Sequence, residues 1–156
     1  MSRRIVLSLA AAVVVLGGAG AFAFAHTGEQ PLSLTQSTAR YTAPDGGRDG
    51  SLTFTTEVTS ASGVKDAKDV KDVKVLAWPA KSSFAKDGLT AKDMAAVESA
   101  VCEPSGEDTL RCTYTTPVSG ADAAESPRGT WHVAVLVEAA NGTTTLDNKA
   151  ADFTVA

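Results

Sequence analysis

The sequence predicts an all-β fold: an antiparallel sandwich of about seven short strands with one short helix. Three observations carry that prediction. Short stretches alternate apolar and polar residues, most cleanly Leu52, Phe54, Thr56 and Val58 against Thr53, Thr55, Glu57 and Thr59. Turn-forming clusters separate these stretches, among them 44–50 and Asn141-Gly142. No alternation of strand and helix patterns points to a parallel sheet.

The longest candidate strand is 129–140, at the centre of the fold. Trp131, Val133, Val135, Val137 and Ala139 share one wholly apolar face; His132, Ala134, Leu136, Glu138 and Ala140 share a mixed one. Asn141-Gly142 then suits a two-residue type I′ turn, which needs positive φ at both positions. The return runs through Thr143, Thr144 and Thr145, and Ala151, Phe153 and Val155 form a terminal strand.

The other elements follow in order. Leu32 to Thr35 starts a first strand with room to continue towards Tyr41, and 51–59 is the second. Residues 64–74 repeat a Val/Ala-Lys-Asp triplet, a period that fits neither strand nor helix and suggests a slipped duplication in a loop whose last copy enters the next strand. That strand is expected over 73–78, with Lys74, Leu76 and Trp78 on one side, and Pro79 ends it because proline cannot donate to a ladder. Thr90 with Asp93 resembles a capping box opening a helix to about residue 97, with Met94 and Val97 buried. Val101 leads to a loop over 104–108, and 109–115 returns as a strand, placing Cys112 where it can face Cys102. Residues 118–128 are polar and alanine-rich, with room for a helical turn. About seven strands in this arrangement suggest an immunoglobulin-like sandwich, with a small barrel as the alternative.

The N-terminus speaks to compartment. Arg3 and Arg4 precede an uncharged apolar run over 5–16; Gly17, Gly18 and Gly20 interrupt it, and Ala23-Phe24-Ala25 forms a small-x-small site. Residues 1–25 therefore read as a signal peptide, 26–31 as a polar lead-in and 32–156 as the folded domain. Ala21-Phe22-Ala23 is a second cleavage site, and an uncleaved anchor is the rival reading. The Arg pair partly resembles a twin-arginine signal, although the very apolar run suits the general secretory route. Export makes Cys102 and Cys112 most simply one disulfide.

Removing 1–25 takes Arg3 and Arg4 from the 14 basic residues and none of the 18 acidic ones, leaving 12 against 18 and a net charge of −6. Nucleic acid and anionic lipid are disfavoured partners at that charge. A membrane would be met only through the signal segment.

Residues that could carry chemistry are few. After residue 25 the histidines are His26, near the start, and His132, on the mixed face of its strand. No Gly-x-Ser-x-Gly elbow and no phosphate or dinucleotide loop is present, and two separated histidines with a bonded cysteine pair make no zinc set. Asp66, Asp69 and Asp72 lack the every-second-residue spacing of a calcium loop; Asp45 and Asp49 fit somewhat better. Trp78 and Trp131 are the candidate ligand contacts. Exposed, they would form a stacking platform for sugar; in a sandwich the ordinary place for them is the core.

From Leu32 onward the chain resembles a family of small exported actinobacterial domains of unknown function. The likeness rests on Ala39-Arg40-Tyr41, on Asp49 to Phe54, on Val73 to Pro79, on Met94 to Ala100, on Cys102 with Cys112, and on Gly129-Thr130-Trp131. The Lys-Asp repeat is an insertion relative to that pattern. The resemblance implies an immunoglobulin-like fold and brings no activity, cofactor or catalytic residue. The expectation is a secreted, monomeric, non-enzymatic domain that binds an extracellular protein or an envelope polymer, or serves a structural role. A secreted protease inhibitor presenting the 102–112 loop is the alternative.

Overall fold

A computed structural model describes residues 32–60 and 69–156. The expected signal peptide and lead-in, and residues 64–68 of the triplet repeat, lie outside them. Seven strands are described: β1 (Leu32–Thr42), β2 (Gly50–Ser60), β3 (Val70–Pro79), β4 (Val101–Pro104), β5 (Thr109–Val118), β6 (Gly129–Ala139) and β7 (Thr144–Val155). They form two sheets, ordered β1-β2-β5-β4 and β3-β6-β7, and every pairing is antiparallel. Lettered A to G in chain order, that is A-B-E-D over C-F-G, the strand arrangement of constant-type immunoglobulin domains.

The core between the sheets is built by period two. Leu52, Phe54 and Val58 of β2, Leu110 and Cys112 of β5, Val73 and Val75 of β3, and Val133, Val135 and Val137 of β6 are all almost fully buried there. Thr56 occupies a core position with no exposure. Its hydroxyl donates to the Thr35 carbonyl at 3.3 Å and shares a hydrogen bond with Ser37 Oγ at 2.7 Å, which removes the cost of burying it. Thr145 closes one side similarly, donating to the Leu32 carbonyl at 3.0 Å.

Three irregularities in the strands explain where the simple alternation fails. In β1 the register shifts between Thr35 and Thr38, and Gln36 takes φ 51°. Leu32 and Leu34 face the core before this bulge, and Ala39 and Tyr41 after it, so one strand changes parity and continues to Thr42. In β3 the shift falls between Val70 and Asp72. The bulge lets Val70 and Val73, three residues apart, both point inward, so the last triplet copy belongs to the strand, which begins at Val70 and not at Val73. In β7 a bulge spans Asn148, Lys149 and Ala150, because Val133 pairs with Ala151 while Val135 pairs with Asp147.

Two expectations of local structure are corrected. Asn141-Gly142 does not form a type I′ turn: Gly142 has φ 88°, whereas Asn141 is not among the positive-φ residues. The Gly142 N–H donates to the Ala139 carbonyl and the Ala139 N–H to the Thr143 carbonyl, giving a three-residue hairpin loop with glycine in the left-handed position. The Asn141 side chain accepts from the Thr143 N–H at 2.9 Å, a bond this loop provides. Nor is 90–97 an α-helix. Thr90 and Asp93 make the reciprocal capping bonds, but the segment then runs as successive turns closed mostly by bonds to the third residue back. It is pulled straight at its end: the Val75 N–H donates to the Glu98 carbonyl and the Ala100 N–H to the Val73 carbonyl, laying 98–100 along the free edge of β3. The described helices are α1 (Phe84–Asp87) and α2 (Gly120–Glu125). The second, capped reciprocally by Ser119 and Asp122, is the helical turn expected within 118–128.

Candidate functional site

The sandwich has two outer faces, and they differ completely. On the β3-β6-β7 sheet, the outward side chains Leu76, Trp78, Ala134, Leu136 and Leu146 are covered by Phe84, Leu89, Met94 and Val97 from the connector over 80–100. This is a second apolar core, and Trp78, Met94 and Ala134 are at most 1% exposed in it. Strand β6 is thus buried on both faces.

The β7 bulge anchors that connector. It turns the Asn148 carbonyl out of the ladder, where it accepts the Trp78 indole N–H at 3.1 Å. The Asn148 side-chain oxygen accepts the Leu89 N–H at 2.9 Å. Beside this contact His132 lies across from Asp152 in the β6–β7 register, with Nδ1 and Oδ1 2.5 Å apart. Its ring centroid is 4.7 Å from that of Trp78. His132 therefore packs across the strands, against Asp152 on one side and Trp78 on the other.

Trp131 is equally buried, 1% exposed, in the main core. Its ring stacks on Phe153 at 6.0 Å and its N–H donates to the Pro127 carbonyl at 2.9 Å. Neither tryptophan offers a ring face to solvent, so Trp78 and Trp131 do not form a stacking platform; both take the ordinary core place. The two side chains belong to different cores on opposite faces of one sheet.

Cys102 and Cys112 are bonded, directly opposite in the β4–β5 hairpin. The hairpin tip, Ser105 to Asp108, is exposed, and the Ser105 N–H donates to the Thr109 carbonyl at 3.0 Å to close it. Strand β4 is an edge four residues long that ends in Pro104, and such an edge pairs poorly with another chain. A cleft of about 340 Å³ lies on its outer side between Val101, Pro104 and Arg111. Val101 is 69% exposed. Where β4 gives way to the connector, Tyr114 donates to Glu98 Oε2 at 2.8 Å. Burial first, and then this hydrogen bond, push the phenol pKa up to about 12.

Among the described residues, no such cover lies over the outer face of the β1-β2-β5-β4 sheet. Its rows read Thr38, Thr55, Thr113 and Val101; then Arg40, Thr53 and Thr115; then Thr42, Ser51 and Pro117. One further row is charged and compensated: Glu57 accepts from Arg111 at 3.0 Å and from Gln36 at 2.7 Å. The wet face of β2 read from sequence is therefore the centre of a hydroxyl-rich sheet surface three strands wide. Only within the Thr53–Thr115 pair do two of these hydroxyls meet, at 3.3 Å.

At one end of the sandwich the β1–β2 loop and α2 flank a cleft of about 420 Å³ that includes Asp45, Asp49, Arg48 and Arg128. Among the described residues no group of three or more His, Cys, Asp or Glu side chains is placed to hold a metal ion. No helix among them is long and apolar enough to cross a membrane. His26 lies outside the described residues.

What sequence reasoning missed is the second core. Its signal is present: Leu89, Met94 and Val97 follow Phe84 at irregular spacing. Irregular spacing is what a connector draped over a sheet produces, and it matches neither period used to find elements.

The fold and these residues are those of a small β-sandwich domain stapled by a single disulfide. The chain belongs to the family of unknown function DUF5707, which matches residues 34–137. The match spans β1 to most of β6, including the connector, the staple and the open sheet face; it stops short of β7, so what is shown of the resemblance is membership of a family of unknown function over 34–137. No curated protein and no solved structure matches the chain.

Proposed function

We propose that the chain is exported and acts outside the cell as a non-enzymatic binding module, with its ligand seated on the outer face of the β1-β2-β5-β4 sheet. One observation carries this reading: one outer face of the sandwich is sealed by the connector, while the other is broad, open and lined by hydroxyls. A bonded cysteine pair suits an oxidising compartment. Two of the four sheet edges are occupied or blunted, by 98–100 along β3 and by Pro104 on β4, which suits a monomer.

The test is affinity capture. The chain, recovered after export by its producer, is immobilised and challenged with culture supernatant and envelope extract. Retention of an envelope component that is lost when Thr55 and Thr113 are both replaced by Lys supports the module. An empty column sinks it. N-terminal sequencing of the recovered chain checks the export step, with His26 as the expected first residue.

The inhibitor reading keeps one supporting feature, an exposed hairpin tip held at its base by the staple. The tip is closed by the bond between Ser105 and Thr109, whereas substrate-like docking needs extended backbone. Complete digestion at 105–108 by a subtilisin-type protease, without loss of protease activity, would dispose of it.

A further inference from the structure

We infer that the open face takes a neutral, polyhydroxylated polymer, an extended polysaccharide chain lying across β1, β2 and β5. This rests on the binding-module reading and names its ligand.

Charge decides first. The chain is acidic, with a net charge of −4 overall, so an anionic polymer is repelled at long range. The open face contributes little charge to attract a cationic one: Glu57 is held by Arg111 and Gln36, and Arg40 at one side is balanced by Glu103 at the other. A face without net charge is complementary to a ligand without charge.

Side-chain chemistry decides next. Thr38, Thr55 and Thr113 stand in one row, and Thr53 and Thr115 in the adjacent row. Threonine presents a methyl and a hydroxyl from the same carbon. A sugar ring likewise alternates C–H and O–H groups on its surface. The threonine residues recur at the spacings of the sheet itself, about 4.8 Å across the strands and about 6.7 Å along them, and the Thr53 and Thr115 hydroxyls lean together to 3.3 Å. Each hydrogen bond traded with water gains little, so a single sugar would bind weakly and a chain spanning several rows would bind usefully. An apolar protein partner fits poorly, because Pro117 is the apolar side chain in the rows across β1, β2 and β5, while Val101 and Pro104 lie together at the β4 edge.

The experiment is co-sedimentation of the exported chain with two insoluble neutral polymers, cellulose and chitin, at 50 mM and 500 mM salt. The expected result is sedimentation with at least one of them, unchanged by salt, since no counterions are released. Thr55→Lys with Thr113→Lys should lower the affinity at least tenfold despite adding positive charge. Thr53→Ala with Thr115→Ala, a milder change, should lower it about three- to tenfold. Lys86→Glu, on the exposed side of the connector, should leave it unaltered. Thermal melting confirms that each variant is folded, and the alanine pair keeps the test sharp should the lysine pair fail to fold. No sedimentation with either polymer, binding abolished by salt, or binding indifferent to both threonine pairs would overturn the inference. If the polymers fail while an envelope component is still captured through Thr55 and Thr113, the ligand class is wrong and the binding module stands. If nothing is captured either way, both fall.

Discussion

The two outer faces of this sandwich start from the same backbone pattern and end in opposite states. On the β3-β6-β7 sheet the outward positions carry Leu76, Trp78, Ala134 and Leu136, and the connector is folded down to bury them. On the β1-β2-β5-β4 sheet the outward positions are mostly threonine, and none of the described residues covers them. Threonine keeps the β-branched shape a strand favours while leaving the surface wet. The difference shows that the outer face of the β3-β6-β7 sheet is part of the folding core, whereas that of the β1-β2-β5-β4 sheet is free of that duty. A surface that stability does not require is where substitution can affect binding alone.

The contrast is broken most forcefully at Trp78. Its truncation to alanine should cost about 3–5 kcal/mol, as for other buried aromatics, and it also leaves the Asn148 carbonyl without its donor. Denaturant titration reads the loss. A cost under about 1 kcal/mol would mean that the connector is loosely attached and that the face beneath it can open. Next in size is the staple. Replacing Cys102 and Cys112 together by alanine removes a bridge across ten positions, worth about 2–3 kcal/mol in the chain-entropy model. It lies on the open-faced sheet, so it should lower the melting temperature without releasing the connector.

A smaller effect sharpens the attachment of the connector. Asn148→Ala removes the acceptor of the Leu89 N–H but keeps the carbonyl that holds Trp78. About 1–2 kcal/mol is expected, from one lost bond to a partly buried donor. Tyr114 tests the other end of the connector through pH. The phenol is raised in the fold to about 12 from an ordinary value of 10.0, so the fold favours the protonated form. Its contribution is fully present below pH 10 and is lost as pH rises towards 12. Stability should fall across that window, and Tyr114→Phe should flatten this part of the profile. An unchanged slope in the variant would show that Tyr114 does not tie the sheet to Glu98.

Much of the open face was legible in the sequence, and most of the covered one was not. Leu52 to Thr59 keeps strict alternation, so both its core side and its threonine side could be assigned from spacing alone. The pairing of Cys102 with Cys112 needed only two cysteines and a short hairpin between them. The covered face depends on long-range events. Trp78 is buried because a bulge seventy residues later presents the Asn148 carbonyl to it. The turns over 90–97 follow a capping pair that ordinarily opens a helix, but the pull of β3 on residues 98–100 straightens the chain instead. The triplet repeat hid the start of β3, because a period of three looks like neither element until a bulge at Lys71 absorbs the extra residue. Binding was not legible in either place, since hydroxyl-rich strands are good strands whether or not anything lands on them.

The smallest expected effect completes the contrast. Thr55→Ala and Thr113→Ala, separately, should each change stability by less than about 0.5 kcal/mol, the usual range for surface positions with no special partner; both side chains are partly exposed. Neither hydroxyl takes part in the Thr53–Thr115 bond or in the network around Glu57. The comparison that matters is with Thr56, one residue from Thr55 on the opposite side of β2. There the hydroxyl is fully buried and bonds Ser37 and the Thr35 carbonyl, so Thr56→Ala should cost about 1–2 kcal/mol by orphaning them. Adjacent threonines in one strand would then differ severalfold in what they give the fold. If Thr55→Ala instead proved as costly as Thr56→Ala, the open face would be serving stability, and the case for reading it as a binding surface would lose its basis.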